Sequence, residues 1–428
     1  MISRRRFVQL STVASAAFSA NSLAQATAEV PHSSLPPSIT GLKSMKDQAR
    51  PITLEERRRR QEKARQLMES GRIDALLLME GTSLDYFTGI HWWGERLFAL
   101  VLPAKGEALY VCPAFEEGRA REQIATALDG ERPDVRTWQE DDNPYRLLAQ
   151  GLRDRGISAG TLGMEETVRF LFSDGVAKAA PQVNIVSGTP VTAGCRMVKS
   201  NHEIELMRLA NKVTLTAYEA AYRALREGMT QSAVEDLITA AYIQLGFPGE
   251  ATVQIGEYSS FPHGSATPQV IREGTIVMVD DGCTVEGYQS DITRTFVLGK
   301  PSDRMKKVFD AVHQAQKAAL KTARPGLECQ AVDAAARKVI TDEGYGPDYK
   351  YFTHRVGHGI GMDEHEWPYL VRGNTTLLVA NMTFSDEPGI YIGGEFGIRL
   401  EDDMHITEKG AELFTPQSPS LENPFATE

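Results

Sequence analysis

Residues 276–299 read IVMVDDGCTVEGYQSDITRTFVLG. The apolar run Ile276 to Val279 has the make-up of a buried strand, and it ends on Asp280. A turn region with Gly282 and Gly287 intervenes, and Asp291 opens the next strand. Two strands joined in this way bring Asp280 and Asp291 side by side. Close carboxylates repel, so either a cation lies between them or one of them keeps its proton.

Two downstream segments extend the pattern. Residues 353–370, THRVGHGIGMDEHEWPYL, hold His354, His358 and His365, three of the nine histidines in the chain. The glycines at 357, 359 and 361 let the backbone come close to something. Residues 383–407, TFSDEPGIYIGGEFGIRLEDDMHIT, place Glu387 before a Pro-Gly turn, and Arg399 and Glu401 on one face of a strand by period two. Asp280, Asp291, Glu387 and Glu401 with His358 form a hard oxygen-rich donor set. It suits Mn²⁺, Co²⁺, Fe²⁺ or Zn²⁺ rather than a thiolate-bound ion. Four carboxylates carry enough charge for two divalent ions, and a two-metal site activates water and clamps the attacking and leaving atoms. The expected chemistry is hydrolysis.

Upstream, Ser200 and Glu203 make a capping box that opens a long helix, EIELMRLANKVTLTAYEAAYRAL, with Gly228 as its stop. Helices are also expected from about Gln231, from Ser302 and from about Gln330. The first half reads as a separate α/β domain over 51–190. Thr53 and Glu56 cap a helix, 73–79 is a buried strand, and 97–113 is a hairpin turning at Lys105-Gly106. Four consecutive arginines, Arg57 to Arg60, alternate with acids on that helix and read as a solvated face. Tyr86, Phe87, His91, Trp92 and Trp93 cluster around Gly89 in an apparent loop, either lining a substrate mouth or packing a core.

With 428 residues the chain exceeds one ordinary core, and two domains are expected. A net charge of −11 and no basic stripe exclude a nucleic-acid footprint. No Gly-rich phosphate loop is present. Cys112, Cys195, Cys283 and Cys329 form no C-x-x-C pair, which leaves at most a single bridge. Residues 1–26 carry Arg4-Arg5-Arg6-Phe7, a short apolar run and Ala24-Gln25-Ala26. They resemble a twin-arginine export signal, predict use of that export machinery and a periplasmic protein starting near Thr27, and leave no membrane anchor. The Pro- and Ser-rich stretch 27–50 reads as a linker.

At its acidic and histidine motifs the chain resembles the pita-bread metallopeptidases, the family of aminopeptidase P, prolidase and methionine aminopeptidase. Specific motifs cover roughly residues 195–415: VDDG at Asp280, SDITRTF at Asp291, GHGIG at His358, DEPG at Glu387 and RLED at Glu401. The resemblance implies an α/β N-terminal domain followed by an α+β pita-bread (creatinase/aminopeptidase) catalytic domain over 195–420. In it Asp280 and Asp291 hold one metal, His358 and Glu387 the other, and Asp291 and Glu401 bridge. Mn²⁺ is the favoured ion and a homodimer the implied assembly. His263 in FPHGS, His354, His365 and Arg399 match residues that contact substrate or the reacting atoms, and Glu387 matches the acid/base. Trp92 or Trp93 matches, by layout only, an N-domain tryptophan that reaches a neighbouring subunit's site. The separate N-terminal domain favours the Xaa-Pro group, so the implied substrate is a small peptide with proline second. Three other activities of the fold are weighed against this: a metal-free creatinase, a dimethylsulfoniopropionate lyase and a metal-dead binding module. The five retained ligands speak against the first and last.

Overall fold

The computed structural model describes residues 35–128 and 133–425. The export-signal reading of residues 1–26 lies outside them.

The N-terminal domain is built on a six-stranded sheet: β1 (Ala75–Met79), β2 (Ala99–Pro103), β3 (Leu109–Pro113), β4 (Asp134–Trp138), β5 (Gly160–Met164) and β6 (Val183–Ser187), in the order β4-β3-β2-β1-β5-β6. β1 pairs antiparallel with β2 and parallel with β5. Both faces of β1 are covered, which is why 73–79 shows no polar alternation. Leu76 and Leu78 enter one core and Ala75, Leu77 and Met79 the other. Each fully buried leucine contributes about 1.5–3 kcal/mol. Helix α1 (Leu54–Gly71) starts with the expected Thr53–Glu56 capping box.

Three expectations for this half are corrected. Tyr86 and Phe87 lie on a short helix, α2 (Thr82–Thr88), rather than a loop, and both are buried. Arg60 is not solvated: it donates to the Tyr86 carbonyl (2.8 Å), to Glu203 (3.1 Å) and to the Tyr288 hydroxyl (2.6 Å). It therefore bolts the two domains together, while Arg58 and Arg59 are exposed and Arg57 is half-buried. Residues 35–50 are no free linker. Ile39 and Met45 are buried in the core of the catalytic domain, and the Met45 N–H donates to the Leu245 carbonyl at 2.9 Å. Apolar side chains spaced among the prolines and serines explain that docking.

In the second half, helices α3 (Asn201–Tyr222), α4 (Gln231–Leu245), α5 (Asp303–Thr322) and α6 (Cys329–Ile340) pack around small curved sheets. α3 ends at Tyr222, earlier than its glycine stop predicts. One sheet runs β9 (Arg294–Val297), β8 (Ile276–Asp280), β7 (Thr252–Ile255). Another runs β11 (Glu366–Leu370), β10 (Gly357–Gly359), β12 (Thr383–Asp386), β15 (Asp402–Ile406), β16 (Ala411–Leu413). A hairpin of β13 (Gly389–Ile392) and β14 (Phe396–Arg399) stands beside them. The four cysteines are buried and free, so no bridge forms. Among the described residues no helix is long and apolar enough to cross a membrane.

Candidate metal centre

Strand ends from both catalytic sheets converge on one point. β8 and β9 pair antiparallel with Val279 opposite Arg294, which sets Asp280 and Asp291 on facing chains. The intervening turn closes tightly because Gly282 lies against the Ser290 carbonyl, where an added Cβ would sit 1.9 Å from the oxygen. His358 is the middle residue of β10, and Glu387 follows β12, held by its N–H to the Val356 carbonyl at 2.8 Å. The Glu401 N–H donates to the Thr293 carbonyl at 3.2 Å and so ties the last acid to the first pair.

The five predicted ligands meet. Ligand atoms of Asp280, Asp291 and Glu401 lie within 4.8 Å of one another, as do those of His358, Glu387 and Glu401, and those of Asp291, His358 and His365. Asp291, His358 and Glu401 each belong to two of these groups, so the three groups form one continuous cluster. The His358 Nε2 is 3.4 Å from Glu387 and 3.6 Å from Asp291.

The donor set fits two divalent ions. Four carboxylates gather beside Arg399, which pairs with Asp280, and Arg355 also acts on Glu387. Burial, and after it the neighbouring charge of Asp280 and other acids, pushes the Asp291 carboxyl well above its ordinary range. Burial does the same to Glu401, reinforced by Asp291. Burial, partly offset by Arg399, raises Glu387 to about 7. Thr293 Oγ1 lies within hydrogen-bond reach of both Asp280 and Glu401. One hydroxyl hydrogen cannot serve both carboxylates, so an acceptor is left over. Burial, then the neighbouring His365, holds His358 well below its ordinary value, so the imidazole is neutral and ready to bind metal.

Around this cluster the other predicted residues take distinct places. Arg399 donates to Thr293 Oγ1 (2.8 Å), the Tyr391 hydroxyl (2.9 Å) and the Pro262 carbonyl (3.1 Å). His354 shares a hydrogen bond with that Tyr391 hydroxyl at 2.7 Å, and its Nδ1 is 3.5 Å from Glu387. Burial, with Arg399 nearby, lowers His354 to about 3. His365 stacks on His358 with ring centroids 3.7 Å apart and stands on the wall of a cavity of about 410 Å³ between the domains. His263 is exposed. Trp92, expected at the substrate, is instead core: it stacks on Phe98 at 4.1 Å beneath the Arg119 guanidinium. Trp93 is 72% exposed on the N-terminal domain.

Sequence reasoning passed over several residues here. Thr293 links Asp280 to Glu401, Tyr391 links Arg399 to His354, and Asn211 and the Asp291 N–H both donate to the buried Asp403. Arg355 reaches His365 at 3.3 Å. Only Arg355 left a signal, as a lone cation inside the histidine motif.

Residues 205–408 match Metallopeptidase family M24, and residues 60–198 match the Creatinase/Prolidase N-terminal domain. The putative dipeptidase YkvY of Bacillus subtilis (strain 168) is 32% identical over 354 residues, covering 82% of this chain and 95% of that relative. The chain belongs to metallopeptidase family M24. Within family M24, the Xaa-Pro dipeptidase of Lactobacillus delbrueckii subsp. lactis is 33% identical over 364 residues, covering 83% of this chain and 96% of that protein. The crystal structure of dipeptidase PepE from Mycobacterium ulcerans superposes with a TM-score of 0.81 at 34% identity, covering 87% of this chain and 99% of that one. This M24 member therefore has the expected pita-bread catalytic domain behind a creatinase-type domain, and it is a metal-dependent peptidase. The lyase alternative finds no support among these relatives.

Proposed function

We propose that this chain is a dinuclear Mn²⁺ dipeptidase that cleaves the bond before proline in Xaa-Pro dipeptides, and that it works as an exported homodimer. The observation that carries the reading is the meeting of four carboxylates and His358 at a point walled by His354, His365 and Arg399. Relatives matched over most of their length are named dipeptidases, one of them for Xaa-Pro. The oxygen-rich donor set favours Mn²⁺, with Co²⁺, Zn²⁺ or Fe²⁺ as alternatives. Arg4-Arg5-Arg6-Phe7 and Ala24-Gln25-Ala26 support twin-arginine export to the periplasm. Trp93, Phe115, Phe170 and Leu171 are exposed apolar side chains of the N-terminal domain that a second copy would cover.

Two ions held by Asp280, Asp291, His358, Glu387 and Glu401 would activate water and polarise the peptide carbonyl. The chain's own residues do the rest. Glu387 takes a proton from the attacking water and delivers it to the proline nitrogen, the work of a general acid–base carboxyl. Neutral His365 donates to the oxygen on which charge develops. Arg399 fixes Asp280 and, through Tyr391, orients His354. His263, exposed in the FPHGS segment, supplies a further substrate contact.

The test is direct. Protein stripped with EDTA and reloaded with each ion in turn is assayed on Xaa-Pro and on Xaa-Pro-Yaa. Release of Xaa from the dipeptide, best with Mn²⁺, supports the proposal. Cleavage of the tripeptide alone makes it an aminopeptidase, and no release with any ion removes the reading.

A further inference from the structure

Arg294 is among the largest fully buried side chains of the molecule, three residues beyond Asp291. Its Nη1 donates to the carbonyls of Thr293 (3.1 Å) and Glu401 (2.8 Å). Its Nη2 donates to Asp402 Oδ1 (2.6 Å) and to the Pro416 carbonyl (2.9 Å). Asp402, also fully buried, accepts in addition from Thr415 Oγ1 at 2.6 Å and from Gln316 Nε2 at 2.9 Å. The same Gln316 amide donates to the Asp386 carbonyl at 3.2 Å, and its oxygen accepts from Gln417 Nε2 at 2.7 Å.

This network touches the chain immediately beside three of the metal-holding acids. Thr293 is two residues from Asp291, Asp386 precedes Glu387, and the contact at Glu401 is its own carbonyl. None of the network's side chains offers an atom to the ligand groups. Thr415, Pro416 and Gln417 belong to a C-terminal strap that runs beyond residues 205–408, the span matched to the catalytic family. The strap is fastened separately further on. The Val297 N–H donates to the Leu421 carbonyl at 2.9 Å, and the Tyr222 hydroxyl to the Glu422 carbonyl at 3.0 Å.

A buried Arg–Asp pair is weak evidence for stability, because desolvation offsets most of its attraction. What a planar guanidinium with four fixed acceptors supplies is geometry. We propose that Arg294, Asp402 and Gln316, closed off by strap residues 415–417, form a positioning frame that sets the spacing of Asp291, Glu387 and Glu401. The C-terminal strap is then a working part of the metal centre. This rests on the metal-holding reading of the site and not on the choice of peptide.

The test titrates Co²⁺ into the stripped full-length protein, followed by calorimetry and by visible absorption, which reports ligand geometry. Thr415→Val, which removes one hydroxyl, is expected to weaken Co²⁺ binding by about 10–100-fold, the usual effect of losing a partner that orients ligands. Its absorption spectrum should change, and kcat should fall more than KM rises. Thr415→Ser keeps the hydroxyl and should restore affinity and spectrum. Gln417→Leu, at a half-buried position, should weaken binding in the same direction. Tyr222→Phe loosens the far end of the strap only and should bind Co²⁺ like wild type. Wild-type affinity and spectrum in both Thr415→Val and Gln417→Leu would overturn the proposal. So would an equal loss in Tyr222→Phe, which would mean general loosening. Wild type that binds Co²⁺ but cleaves no Xaa-Pro peptide leaves this proposal standing and removes the substrate reading. Wild type that binds no Co²⁺ overturns both.

Discussion

Glu387 shows what can be read at the scale of a residue. Its side chain is only 13% exposed, desolvation raises its carboxyl to about 7, and it lies 3.4 Å from His358. Replacing it with glutamine keeps the shape and removes both the proton shuttle and one ligand charge. Turnover of Glu387→Gln is expected to fall by at least about 10²–10⁴-fold, the range general acid–base catalysis contributes. Steady-state assays with saturating metal check this, and retained full activity would remove the role. Glu387 was legible in the sequence because a carboxylate before Pro-Gly adds to other acids and histidines of matching chemistry. Thr293, Asp403 and Tyr391 were not. Their importance comes from which hydroxyl or carboxylate lies across a strand pair, and residue type carries no register.

At the scale of elements, the glycines of the histidine motif were read as points of close approach without a partner. The structure names the partners: an added Cβ would lie 2.1 Å from the Ser385 carbonyl oxygen at Gly357 and 2.4 Å from that of Glu366 at Gly359. Backbone cannot give way as a side-chain tip can. Gly359→Ala is therefore expected to destabilise by about 1–3 kcal/mol and to loosen His358. Gly118, on a helix with open space where its Cβ would stand, is the control. Gly118→Ala should be neutral or stabilising by up to about 1 kcal/mol. Urea midpoints for the two variants decide the point. The arginine run teaches the opposite lesson. Periodicity located helix α1, yet Arg59 and Arg60 look alike in sequence, and only tertiary packing separates them. The Arg59 side chain is 74% exposed, whereas Arg60 is buried against Glu203 and Tyr288. Arg60→Leu strands the Glu203 carboxylate and should cost about 3–5 kcal/mol. Arg59→Leu should cost at most about 0.5 kcal/mol.

At the scale of the whole molecule, the division into two domains and the class of each were legible, because length, capping signals and strand runs are local quantities. The docking of residues 35–50 and the role of the strap were not, since both depend on surfaces that exist only after folding. The same holds for the collective charge of the site, which makes stability respond to pH. Burial raises Glu387 from its ordinary value of 4.5 to about 7, and burial with Asp402 nearby raises Asp403 from 3.8 to about 8. A carboxyl raised on folding contributes stability that is fully present below its unfolded value, near 4. That stability is lost as pH climbs through the folded value. Protein stripped of metal should therefore lose thermal stability progressively between about pH 4 and pH 8. Cations supply the charge that the protons would otherwise supply, so loading expels protons and tightens as pH rises. Differential scanning calorimetry at pH 5, 6.5 and 8, with EDTA and with Mn²⁺, separates the two states. The stripped protein should drop in Tm at each step, and the loaded protein should hold its Tm and gain over the stripped one most at pH 8. A stripped protein whose Tm is flat or rises over this range would mean that the buried acids are already compensated within the chain, and that the cluster does not depend on divalent cations for its charge balance.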